Sequence, residues 1–285
     1  MLDVTQVLTS IVRERATTHF HALYPGAPRH VLDVVTRAAD GALAAISGSD
    51  ALYHNIEHTT HVTLVGLEIM RARQQRDRDV TPTLWANLAI ALLCHDIGYV
   101  RGLCRADTAN HLATGTDGPP LRNVDGASDA FLMPVHVNRG KRFVEEAFSR
   151  EPLADTAFIN ACIERTRFPV PADAWYAQTG DFPGLVRAAD LIGQLSDPRY
   201  LNKLAAVFFE FEEIGFNQMT GYARPGDLLS GYPGFFERHV APYIDVAVDL
   251  LDTTADGRDV LAHLYANLAR AREAGSGALA HVANS

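Results

Sequence analysis

The seven-residue apolar run Leu88–Cys94 ends on His95-Asp96, with Gly98 close behind, and no other feature limits the fold of this chain as strongly. A run this apolar belongs in an interior, and it carries an imidazole and a carboxylate in with it. A charge there is costly unless something neutralises it. Tyr53-His54-Asn55-Ile56-Glu57-His58 is a second such cluster. On a helix, His54 and His58 would share one face, so one can hold a metal while the other meets a ligand lying on it. Asp190 stands between Leu185-Val186-Arg187-Ala188-Ala189 and Leu191-Ile192. Alone, it reads as an acid buried against Arg187 or capping a neighbouring helix. Together the three clusters supply two imidazoles and two carboxylates, a donor set suited to zinc, manganese, iron or magnesium.

A helical period runs through nearly all of the chain. Residues 29–46 place Val31, Val34, Val35, Ala38, Leu43 and Ile46 on spacings that suit one helix face. Residues 56–73 continue with Val62, Val65 and Ile69. Pro82 stands at a helix start, and Leu84 to Ile97 form the most apolar helix, closed by Gly98. Further helices are predicted over 138–148, 155–165, 183–195, 200–214, 235–251 and 257–274. No two alternating stretches rich in Val or Ile are joined by an Asn-Gly or Asp-Gly turn, so no hairpin is expected. Residues 99–128 lack a period and carry Gly, Asp, Asn and Pro119-Pro120; they read as a long loop, of the kind that forms lids and binding walls. The expected fold is all-α: a single compact multi-helix domain over 1–285, with its core at about 50–250 and a fraying tail at 275–285.

The charge balance limits the partners. Twenty-five basic residues against 34 acidic give a net charge of −9, which argues against polymeric nucleic acid, since binding the phosphate backbone needs a basic surface. A small phosphate substrate remains compatible, because a bound dication reverses the local sign. Three cysteines without a CxxC spacing form no disulfide framework, and a reducing cytoplasm is the expected compartment. No secretory leader pattern is present, and no apolar run approaches the roughly 20 residues that span a bilayer.

His58, His95-Asp96 and Asp190 resemble the H…HD…D signature of the HD superfamily of metal-dependent phosphohydrolases, which is all-helical. Tyr53-His54-Asn55-x-x-His58 is similar to the narrower YHNxxH motif of class I cyclic nucleotide phosphodiesterases. Phe209-Glu210-Phe211-Glu212-Glu213-Ile214-Gly215 is similar to the acidic, aromatic helix after that family's last metal Asp. Pro233-Gly234-Phe235-Phe236 with Val240-Ala241-Pro242 is similar to the segment holding its base clamp. The resemblance spans about residues 50–250. It implies that His58, His95, Asp96 and Asp190 bind a first divalent metal, with Asp96 bridging to a second, the ions being Mn, Mg, Zn or Fe. It further implies His54 as general acid and Phe235 as one face of a stacking slot. Phe235, Tyr232 and Asn55 are the residues expected to meet substrate, with Asn55 and Tyr53 supporting or packing rather than reacting, and Glu57 pointing off to solvent.

The chain departs from the family pattern at four places. Tyr99 stands where a further His usually follows HD, and Tyr232 where a purine-reading Gln falls. Thr166-Arg167-Phe168 replaces Thr-Asp-Met, and Arg167 reads as a salt-bridging or surface residue ahead of a phosphate contact. His61 falls where the phosphodiesterases have Asp. His111 and His136 lie where other branches of the superfamily supply extra ligands for a second metal. His19, His21, His30, His239, His263 and His281 have no partner pattern and are given no role. The resemblance thus implies a metal-dependent phosphodiesterase for a small, nucleotide-like phosphate ester. The alternatives are a di-iron oxygenase and a nucleotide-binding regulator without activity.

Overall fold

The structure, a computed structural model, describes residues 3–282, with side chains to residue 274. Its helices are α1 (Val4–Leu23), α2 (Arg29–Ile46), α3 (Ile56–Asp77), α4 (Pro82–Cys94), α5 (His136–Phe148) and α6 (Thr156–Arg165). They continue with α7 (Phe182–Leu195), α8 (Tyr200–Glu213), α9 (Phe216–Thr220), α10 (Pro225–Phe235), α11 (Ala241–Leu251) and α12 (Ala255–Val282). The all-α expectation holds. The expected frayed tail falls on 275–285, where side chains, and the backbone of 283–285, lie outside the described residues. No helix among the described residues is long and apolar enough to cross a membrane.

The most apolar helix starts as its sequence dictates. Thr81 accepts a hydrogen bond from the Leu84 N–H, and Pro82 fills the first turn, where a missing N–H costs nothing. Every residue from Trp85 to Cys94 is buried. α4 therefore shows no polar face: it packs against α2, α3 and α6 at once. α3 and α7 form the most extensive helix pair in the molecule. Gly193 explains how closely they approach, since a Cβ there would lie 2.7 Å from the Val62 Cα. Gly193 is one turn beyond Asp190, and Val62 one turn beyond His58. The glycine contact thus draws those two side chains toward each other.

Two expectations change. The loop after α4 contains a two-residue antiparallel pairing, β1 (His111–Leu112) with β2 (Leu121–Arg122). Strands this short carry no alternation for a sequence pattern to show. The loop is ordered by the fully buried Arg139 of α5, which donates to the carbonyls of Gly98, Val100 and Ala113 and pairs with Asp107 at 2.9 Å. The helix expected over 235–251 instead begins at Pro225 and widens into a π turn at Phe236–Val240 before α11. Pro242, in the first turn of α11, supplies the reason. It has no N–H to give, and its ring crowds the carbonyl four residues back.

Candidate metal centre

His58, His95, Asp96 and Asp190 converge. Asn55 starts α3 by accepting the N–H groups of Glu57 and His58, which sets His58 on the first turn. His95 caps the end of α4, and its Nδ1 donates to the Leu92 carbonyl at 2.8 Å, so Nε2 is the nitrogen that faces the cluster. His58 Nε2 lies 3.3 Å from His95 Nε2, 3.1 Å from Asp96 Oδ2 and 3.4 Å from Asp190 Oδ1. His95 Nε2 lies 3.3 Å from Asp96 Oδ2 and 3.6 Å from Asp190 Oδ1.

Those separations test whether an ion fits. Ligands at about 2.1 Å from a metal stand roughly 3.0–3.4 Å apart around an octahedron or tetrahedron. Asp96 Oδ2 is buried without a hydrogen-bond partner among the described residues, although nearly all buried polar atoms have one. His58, His95 and Asp96 form a tight trio, which Asp190 joins through the two histidines. The donor set fits a divalent cation. Protonation follows the same crowding. Burial alone would raise Asp96, but His95 and His58 outweigh it and hold the carboxyl well below the usual range. Asp190, opposed in the same way by burial, is drawn down to about 2 by His58 and His95. Burial lowers His95, but Asp96 and Asp190 overcome this and push it well above the ordinary imidazole value.

His54 is not on α3, contrary to the helical spacing expected for it, because Asn55 caps the helix and leaves His54 in the turn before it. Glu210 of α8 holds that turn. It accepts the N–H groups of Tyr53 and His54 at 2.6 and 3.1 Å, and its other oxygen meets His54 Nδ1 at 2.5 Å. Burial lowers His54, but Glu210, with help from Asp96 and Asp190, raises it to about 9. The sequence assigned Glu210 no role. Its signal was phase: it is buried to 1 % exposure on the same face as Leu204 and Val207.

Tyr99 is sandwiched between two imidazoles, stacked on His54 at 4.8 Å and on His136 at 4.5 Å between centroids. His136 donates from Nδ1 to the Met133 carbonyl, and its Nε2 stands 3.6 Å from Asp96 Oδ1. Gly98 permits this approach, since a Cβ there would overlap the His136 carbonyl. His111, in contrast, is exposed on β1 and does not reach the centre.

The centre opens into a cavity of about 250 Å³. Phe235 and Tyr232 line it, and the Tyr232 hydroxyl is buried without a partner among the described residues. Asn55, expected to meet substrate, is not among the residues that line it: its oxygen caps α3 and its nitrogen donates to the Leu52 carbonyl. Arg187 does not pair with Asp190; it donates to the carbonyls of Tyr176 and Gln178. Arg167 is salt-bridged to Glu164. Glu57 pairs with Lys203 at 2.7 Å rather than standing free in solvent. His239 reaches the cavity, against the reading that gave it no role. His19 belongs to another cluster, 3.6 Å from Glu68, whose carboxylate is engaged by Arg71 and Thr254.

Gly193→Ala is expected to force α7 off α3, at a cost of about 1–3 kcal/mol. Thermal unfolding should show a lower Tm, and metal titration a weaker centre because Asp190 retreats. An unaltered metal affinity would disprove the coupling of this glycine to the cluster.

Fold and site together define an all-α protein with a largely buried two-histidine, two-aspartate cluster that opens into a cavity. The chain belongs to the Npun_R2479-like family, matched over residues 2–274. No curated protein and no solved structure matches it.

Proposed function

We propose that this protein is a metal-dependent phosphohydrolase that cleaves a small, nucleotide-like phosphodiester, as its resemblance to the HD superfamily implies. The observation that carries this reading is the arrangement of His54. Glu210 fixes its Nδ1, while Asp96 and Asp190 face the same cavity beside it. His58, His95, Asp96 and Asp190 are the residues to hold a divalent ion, with Asp96 and His136 beside a second. Such ions supply a water of lowered pKa and stabilise charge on phosphoryl oxygens. His54, kept protonated by Glu210, gives its proton to the leaving alkoxide. Phe235 offers an apolar face to the body of the substrate, and burial of the cluster keeps bulk water from the charged groups. The free, buried thiols Cys94, Cys104 and Cys162 suit the reducing cytoplasm expected for the chain.

The test is hydrolysis of bis-p-nitrophenyl phosphate by purified protein supplied with Mn, Mg or Zn, with chelator as control. Release of p-nitrophenol that chelation abolishes supports the reading, and no release with any of the three ions refutes it. One observation favours a second reading. The approach of His136 to Asp96 would suit a di-iron oxygenase, which predicts two irons per chain and oxygen consumption without phosphate ester cleavage.

A further inference from the structure

The cavity is more basic than the chain that encloses it. Against a net charge of −9, its lining holds only two acids, Asp96 and Asp190, both of which belong to the metal cluster. Three arginines line the same space. Arg167 is matched by Glu164, but among the described residues no carboxylate forms an ion pair with Arg187 or Arg238. Arg187 is 2 % exposed. It gives one N–H to each of two carbonyls, its Nε has no partner among the described residues, and its guanidinium lies 4.1 Å from the Tyr243 ring centroid. A buried cation satisfied only by neutral groups is costly and unusual. This one lies one helical turn from Asp190 and lines the same cavity.

Arg238 also lines the cavity, from the π turn that carries His239 and follows Phe235. Gly234 leaves it room to fold back over α10, since a Cβ at 234 would come within 3.0 Å of Arg238 Nη1. Phe235 and Phe168 meet edge to face at 5.9 Å in the same region. An apolar wall followed by a free guanidinium fits a flat ligand body that ends in a negative group.

We propose that the cavity selects organic phosphates bearing a second anionic group. The reacting phosphoryl sits at the His/Asp centre beside Arg187, the flat body lies on Phe235, and the distal phosphate or carboxylate meets Arg238. This deepens the phosphohydrolase reading and rests on it for the identity of the first group. The second group is a matter of binding alone.

Calorimetric titration of the Mn-loaded protein separates the two. Adenosine 3′,5′-bisphosphate is compared with adenosine 5′-monophosphate, and orotidine 5′-monophosphate with uridine 5′-monophosphate. The pairs add, respectively, a phosphate and a carboxylate to a common body. One or both of the more highly charged ligands should bind about tenfold more tightly, as a charge-assisted contact provides, and the pair that responds names the distal group. Arg238→Gln, an exposed substitution that should not disturb folding, should erase that preference while leaving the singly phosphorylated ligand within about twofold. Equal affinities within both pairs, or a preference that survives Arg238→Gln, overturns the proposal. A preference without any ester hydrolysis would leave it standing and refute the phosphohydrolase reading instead.

Discussion

Asp96→Asn is expected to empty the centre and to lower turnover of bis-p-nitrophenyl phosphate by on the order of 10³ or more, the scale set by losing several kcal/mol of transition-state stabilisation. Asp96 is the one carboxylate that touches both His58 and His95 while a second oxygen faces His136. Asparagine keeps the shape and removes the charge. His95→Ala should have the same effect by removing the imidazole whose Nε2 the Leu92 carbonyl turns toward the cluster. Elemental analysis should find metal in the native protein and little in either variant. The native affinity should also rise with pH. Without an ion, His95 holds its proton above the usual imidazole range, so a metal must displace that proton, and lower pH favours the proton. Full metal content and turnover in Asp96→Asn would remove this residue from the centre and the proposed chemistry with it.

The elements of the fold were legible where burial imposes a period. α2 has the limits its apolar spacing predicts, and Thr81-Pro82 announces α4. The four converging residues were legible in combination: His95-Asp96 and Asp190 stand among apolar neighbours, and His58 joins them through the H…HD…D resemblance rather than through its own surroundings. What escaped the sequence lies in contacts across long separations. Glu210 reaches His54 from 156 residues away, and its acid position in an apolar phase is visible only once α8 is known to face inward. Arg139 orders the loop after α4 by capturing three carbonyls, which leaves no mark on the loop's own composition. The helical spacing of His54 and His58 was misleading for a local reason. An asparagine between them is a better cap than a helix interior residue, so the helix starts after His54.

The same cap makes His54 separable from the metal centre, and His54→Ala is expected to cut turnover about 10²–10⁴-fold, the range for losing a general acid, while metal content stays native. The pH profile carries the sign. As the proposed general acid, His54 would have to be protonated to act, so activity should be present below its pKa and fall as pH rises through it. In the metal-free protein that value is about 9. Ions held by Asp96 and Asp190 remove those two carboxylates' share of the shift, so the alkaline limb of the loaded enzyme should lie between about 6.5, the unperturbed value, and that limit. Glu210→Gln keeps a hydrogen-bond acceptor at His54 Nδ1 but removes the charge that raises it. The limb should therefore move toward acid pH, with turnover near neutrality reduced and activity at lower pH partly restored. Stability should follow in the metal-free protein. The His54–Glu210 pair contributes fully below the unfolded imidazole pKa and is lost as pH rises through the folded one. The native protein should thus lose Tm over that window, and Glu210→Gln should lose less. If His54→Ala emptied the centre, or if Glu210→Gln left the alkaline limb in place, the proton on His54 would have no part in the reaction.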